Sequence, residues 1–197
     1  MSSSASLPTL PLFRMHAASV STHDRGDPGD ASVIAPSLAK LIDRIVQTHH
    51  GFLRRELPRT QNLLGRVSVE QGARHPELDE TARVFAALRA ELTAQLAKEE
   101  QILFPAIKRL EAPSDDRVEI AAGLTDVLWV FETEHRRAIE ALSRLRWLTA
   151  GYVTPGDGDA LYARLMSQLS ELEADLHVHI DTECNLLFPT ARRLAEK

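Results

Sequence analysis

One block of this chain occurs twice, and that duplication constrains the fold more than any other feature. Lys98-Glu99-Glu100-Gln101-Ile102-Leu103-Phe104-Pro105 runs on into Ala106-Ile107-Lys108-Arg109-Leu110. Thr182-Glu183-Cys184-Asn185-Leu186-Leu187-Phe188-Pro189 runs on into Thr190-Ala191-Arg192-Arg193-Leu194. The shared skeleton is Glu-x-x-(Ile/Leu)-Leu-Phe-Pro-x-x-basic-Arg-Leu, repeated after 84 residues (Glu99 to Glu183). A second pair of segments repeats at nearly the same interval: Thr48-His49-His50 and Thr133-Glu134-His135, 85 residues apart. His50 precedes Gln95 by 45 residues and His135 precedes His179 by 44. The chain therefore reads as two similar helix pairs, each with a His on its first helix. The second helix of each pair carries a position-x-x-x-Glu pair, His179-Glu183 in one half and Gln95-Glu99 in the other.

Hydrophobic spacing supplies the helices. Leu38, Leu41, Ile42, Ile45 and Val46 share one helical face, and Pro36 suits a first turn. This first helix is expected to reach about residue 71, with Pro58 kinking or splitting it. A second helix is expected from Pro76 to Leu110, with Val84, Leu88, Leu92 and Leu96 as its apolar line. The segment 112–116 makes a turn, and a third helix runs from Asp116 to Leu148. Gly151 and the cluster 155–159 form the next loop, and a fourth helix runs from Asp159 to near Leu194. Four long helices joined by short loops imply an all-α, up-down-up-down four-helix bundle over residues 36–197. The Ser/Ala/Pro/Gly-rich residues 1–35 are expected to form a disordered tail. Pro105 and Pro189 should each kink or loosen a helix about one turn beyond its Glu.

Composition narrows the function. The net charge of -5 disfavours nucleic acid. The single cysteine, Cys184, excludes an internal disulfide framework and fits the cytoplasm. No apolar run reaches the ~20 residues needed to cross a bilayer, and residues 1–30 lack the apolar core of a signal peptide. A monomer or a dimer is expected.

Antiparallel packing would bring His50, Glu99, His135, His179 and Glu183 to one level at mid-bundle, because residues four apart share a face. Buried carboxylates and imidazoles need partners, and a metal supplies one. Bundles that hold two metals commonly use inward Glu and His from facing helices. Mixed nitrogen and oxygen ligation suits Fe, Mn or Zn, and two bridging carboxylates with terminal His favour an iron pair. His49 lies about 100° around the helix from His50 and is not expected to ligate. His177 reads as surface, His75 as a turn residue, and Glu91 as a solvated position. Glu134 and Glu56 read as surface pairs or as acceptors orienting a ligand. Cys184 reads as a small core hydrophobe, and Trp129, Phe131 and Trp147 as packing. His16 and His23 fall in the tail and are not ligand candidates.

The segments His49-His50-x-x-Leu53-Arg54-x-Glu56-Leu57-Pro58, Lys98-Glu99-Glu100-x-x-Leu103-Phe104-Pro105 and Glu134-His135 resemble the hemerythrin-like, HHE-type cation-binding family. So does Asp175-Leu176-x-x-His179-Ile180-x-x-Glu183-x-Asn185-x-Leu187-Phe188-Pro189. The closer resemblance is to its iron–sulfur cluster repair group, over about residues 37–195. It implies a non-haem centre of two iron ions, bridged by carboxylates and an oxo or hydroxo group, with four His and two Glu. Carried over, the ligands are His50, Glu99, His135, His179 and Glu183. The remaining family His corresponds to Gln95, a neutral and weaker donor. The group also carries a cysteine-bearing N-terminal domain, whereas residues 1–36 contain no Cys, so the resemblance is to the hemerythrin-like domain alone. It implies binding of O2, NO or peroxide, or repair of damaged iron–sulfur proteins under oxidative or nitrosative stress. Two other readings stand beside it: a metal-responsive sensor or iron-storage module, and a metal-free helical interaction protein. No residue is assigned a catalytic role.

Overall fold

The computed structural model describes residues 37–112 and 116–196; the expected tail, with His16 and His23, lies outside them. Seven α-helices and three π-helical turns follow in order. They are α1 (Leu38–Ile45), a π-turn (Val46–His50), α2 (Gly51–Gln71), α3 (Glu77–Lys98), a π-turn (Glu99–Leu103) and α4 (Phe104–Glu111). Then come α5 (Arg117–Leu148), α6 (Ala160–Thr182), a π-turn (Glu183–Leu187) and α7 (Phe188–Ala195). No strand occurs among the described residues. Helix runs straight into each π-turn and out again, so the elements form four rods: α1–α2, α3–α4, α5 and α6–α7. Contacts of α2 with α3 and α6, and of α5 with α3 and α7, close the rods into a ring. This is the all-α bundle expected from the hydrophobic spacing.

Pro58 does not split its rod, since α2 continues through it. A proline inside a helix removes a hydrogen bond and crowds the carbonyl four residues back. Here Leu53, Leu57, Leu63, Leu64 and Val67 are all buried around it, and their packing outweighs the local penalty. The rod ends are tied down as well. Ser37 Oγ accepts the Lys40 amide at 3.3 Å. The Glu111 carboxylate accepts the amides of Leu38 at 2.7 Å and Ala39 at 3.0 Å, an anion at a helix start. Arg117 donates to the carbonyls of Leu110 at 2.6 Å and Leu194 at 2.9 Å. Those two leucines close the two copies of the repeated block, so one arginine caps both.

The apolar interior is in two parts. The larger cluster includes Leu53, Leu64, Phe85, Leu92, Leu142, Tyr162, Leu169 and Leu176. The smaller includes Ile42, Ile45, Leu103, Phe104, Ile107, Leu128, Leu187 and Phe188. Cys184 packs against both. Phe131 is buried as expected, but Trp129 and Trp147 are not packing residues: they are 62% and 69% exposed. Each follows or precedes the buried positions Leu128, Phe131 and Leu145 by a step that turns it outward, and Arg144 lies over the Trp147 ring at 4.3 Å.

Candidate metal centre

Between the two apolar clusters lies a polar layer. His50, Glu99, His135, His179 and Glu183 all converge there, each at most 2% exposed, with Gln95 at 3%. Three of the four rods carry their residue at a π-turn: His50 ends one, and Glu99 and Glu183 each begin one. The wide turn has a local cause in the repeated block. Pro105 and Pro189 lack an amide hydrogen and crowd the carbonyl four residues back. The amides of Phe104 and Phe188 reach instead to Glu99 and Glu183, five residues back. The expected loosening thus falls at the glutamates themselves, and both prolines sit in the first turns of α4 and α7. The hydrophobic spacing gave no sign of the turn at Val46–His50, which has no proline after it. Single π-turns inside α-helices are frequent at functional sites.

The two carboxylates are doubly engaged. Glu99 Oε2 lies 3.3 Å from His50 Nε2, while its Oε1 lies 3.7 Å from His135 Nε2. Gln95 donates from Nε2 to that same Oε1 at 3.0 Å. Glu183 Oε1 lies 3.1 Å from His179 Nε2, and its Oε2 lies 3.1 Å from His135 Nε2. Each glutamate therefore turns one oxygen to a His50–His179 side and the other to a His135 side, which Gln95 shares. One potential donor atom each from His50, Glu99, His179 and Glu183 falls within a mutual 4.8 Å. The buried His50 Nε2, Glu99 Oε2, His135 Nε2 and Glu183 Oε2 have no hydrogen-bond partner in the structure. Buried polar atoms left in this state are costly, and cations held on the two sides of the layer would satisfy them. The donor set fits a metal of the Fe, Mn or Zn type.

A further ring of contacts fixes the imidazoles. His50 Nδ1 lies 2.7 Å from Glu100 Oε1, which also takes Arg54 at 2.6 Å. His135 Nδ1 lies 3.3 Å from Cys184 Sγ. Glu100 and Cys184 occupy the same place in the two copies of the block, one residue after the glutamate. Phe104 stacks on His50 at 5.5 Å and Phe188 on His135 at 5.8 Å, so the repeated Phe covers the His of each half. His49 points away from the layer, to Asp175 at 2.9 Å, and its ring stacks on His179 at 5.7 Å.

The charge state of the layer reflects this arrangement. Burial works against protonation of His50, but Glu99 and Glu100 outweigh it and raise its pKa. Burial likewise opposes protonation of His135; Cys184, Glu183 and Glu99 override it and raise the value to about 11. Burial works to raise the Glu183 value, but His179 and His135 hold the carboxyl well below its ordinary range. His50 and His135 are thus held toward the protonated form and Glu183 toward the ionised one.

The remaining sequence candidates fall outside the layer. His177 is a surface residue 3.7 Å from Glu173, Glu91 is exposed, and Glu56 pairs with Arg55 and Arg59. His75 bridges two loops, lying 3.2 Å from Glu77 and 3.3 Å from Asp157. Glu134 pairs with Lys98 and, with Gln95 and Arg137, lines a cavity of about 160 Å³ between α3 and α5.

The hemerythrin HHE cation-binding domain matches residues 41–191. The chain belongs to that family. The iron-sulfur cluster repair protein YtfE of Salmonella paratyphi B is 31% identical to it over 159 residues, 80% of this chain and 67% of the relative. The YtfE proteins of Salmonella newport and Salmonella heidelberg match to the same extent.

Proposed function

We propose that the polar layer is a metal centre for two non-haem iron ions, held unequally. The observation that carries this reading is the buried group of donor atoms of His50, Glu99, His179 and Glu183 within 4.8 Å, in a layer where nitrogen and oxygen atoms of His50, Glu99, His135 and Glu183 lack a hydrogen-bond partner. His50, His179, Glu99 and Glu183 would hold the first ion. His135 and the second oxygen of each glutamate would hold the other, where Gln95 offers only a neutral amide. When bound, iron supplies Lewis acidity and one-electron exchange.

The protein's own residues set the conditions for that chemistry. Glu100 and Cys184 hold the Nδ1 sides of His50 and His135 and so present Nε2 to the layer. Phe104 and Phe188 exclude water from those rings. The small cavity lined in part by Gln95 lies on the side of the less ligated position, which suits a ligand as small as O2, NO or peroxide. The role named for the relatives, iron–sulfur cluster repair, supports a part in handling iron for damaged clusters, in the cytoplasm and under oxidative or nitrosative stress.

Metal analysis after anaerobic reconstitution, with an absorption spectrum of the oxidised protein, tests the proposal. Iron near two per chain at saturation is expected, with one equivalent held more tightly. Uptake below about 0.2 iron per chain would remove the reading, since a site of this kind binds metal as part of its folded state. Glu183→Ala should release at least one ion and change the spectrum; an unaltered spectrum would contradict the role given to Glu183.

A further inference from the structure

Away from the polar layer, α2 and α6 enclose a cleft of about 470 Å³ lined by Arg59, Asn62, Leu63, Arg66, Arg164 and Gln168. We propose that this cleft binds a small, soluble polyanion carrying clustered phosphate groups.

The helical spacing builds the cleft. Arg59, Asn62 and Arg66 stand at i, i+3 and i+7 on α2, and Arg164 and Gln168 at i and i+4 on α6, so each set forms one stripe. The two stripes face the same opening. Three guanidinium groups share it and no carboxylate lines it, in a chain whose net charge is -5. Arg59 is already bonded to Glu56 at 3.1 Å. Arg66 and Arg164 are exposed and have no ion-pair partner among the described residues, as is also true of Arg44 and Arg83; what sets Arg66 and Arg164 apart is that they share one cleft with Arg59.

A second observation points to a ligand. Gln168 Oε1 is buried and finds no hydrogen-bond partner. Gln168 is a half-buried residue lining this arginine-lined cleft, and its side-chain amide can accept from a protonated phosphate oxygen, or donate to an ionised one if the amide is turned over. Guanidinium matches phosphate through paired N–H donors, which a point charge such as Lys does not do. The volume is that of a small-molecule site. Arg66 lies 16 residues beyond His50, about 24 Å along the rod, so the cleft is separate from the proposed metal centre.

Titration calorimetry on the whole, iron-reconstituted protein tests this, with tripolyphosphate as probe and sodium sulfate, acidic peptide and phosphatidylglycerol vesicles as comparison arms. One saturating site with Kd below about 1 mM is expected for tripolyphosphate, weakening as salt rises. Arg66→Gln combined with Arg164→Gln should weaken it at least tenfold, and Arg59→Gln less, because that side chain is partly spoken for. Arg83→Gln, an exposed arginine of α3, should change nothing. The far-UV spectrum and iron content of each variant report the fold independently. No saturable heat with tripolyphosphate, equal binding of sulfate, preference for peptide or vesicles, or undiminished affinity in the folded double variant would each overturn the proposal.

Discussion

Gln95 and Cys184 are the two residues at which the halves of the site part company. In one half, His50 rests on the Glu100 carboxylate and Glu99 meets it from the layer. In the other, His135 rests on a thiol, and the position equivalent to His179 is an amide that donates to Glu99 rather than accepting. Both changes weaken donation on the same side. Gln95→His should therefore tighten the weaker of the two proposed iron positions by about tenfold or more, since imidazole is the better donor; anaerobic titration measures it. Identical stoichiometry and affinity would mean that residue 95 has no bearing on the second ion. Protons should compete as well. The folded value of His135 is raised to about 11, so its proton stabilises the metal-free fold fully below the ordinary 6.5, and that contribution fades as pH rises toward 11. Metal must displace this proton. Affinity should rise between about pH 6 and 8, with proton release read by calorimetry in buffers of different ionisation heats. The five acidic and basic residues of the layer were legible from the repeat alone. Glu100 and Cys184 were missed as supports, although the repeat pairs them. Their role depends on which way an imidazole turns, and spacing does not carry that information.

Among elements, the four rods and their loops were legible because apolar positions recur with the helical period over long stretches. The π-turns were not. A π-turn differs from the α-helix by one residue, and the hydrophobic pattern simply resumes after it. Each copy of the block nevertheless contains the cause, a proline placed just after the wide turn. The extra residue sets the register of the helix beyond it: Phe104, Ile107 and Leu110 are buried because α4 begins where the π-turn leaves it. One alanine inserted after Ile102, which is 61% exposed, would exceed what that turn absorbs and rotate those three by about 100° off the core. The insertion should lower the melting temperature sharply, by the several kcal/mol typical of losing large buried side chains. Deleting Ile102 instead closes the wide turn to an α-turn and keeps those three on the core face, and Ile102→Ala keeps the register and should shift stability by less than about 0.5 kcal/mol. Thermal unfolding followed by circular dichroism compares them, and an insertion as mild as the alanine variant would show that the turn does not set the register.

At the scale of the molecule, the polar layer divides an otherwise continuous core, and this decides how the protein should respond to loss of metal. Clusters of buried leucines and phenylalanines lie on both sides of it, each such side chain worth about 1.5–3 kcal/mol when removed from water. The rods therefore have a reason to stay together without any ion. The layer itself has much less. Its imidazoles and carboxylates are fully buried, and buried ion pairs of that kind barely repay their desolvation. Chelation of the reconstituted protein should leave the far-UV spectrum helical while lowering the melting temperature. A ligand present at 100 times its Kd adds about 2.7 kcal/mol. For a domain of this length each kcal/mol is worth about 2–4 °C, so the expected fall is about 5–11 °C. The Glu183→Ala variant should lose most of that difference, because metal and chelator then act on a site that has lost a carboxylate reaching both sides. Scanning calorimetry on the four samples separates the outcomes. Complete unfolding on chelation would mean that the ions, and not the two apolar clusters, hold the rods together. An unchanged melting temperature would mean that nothing bound in the layer.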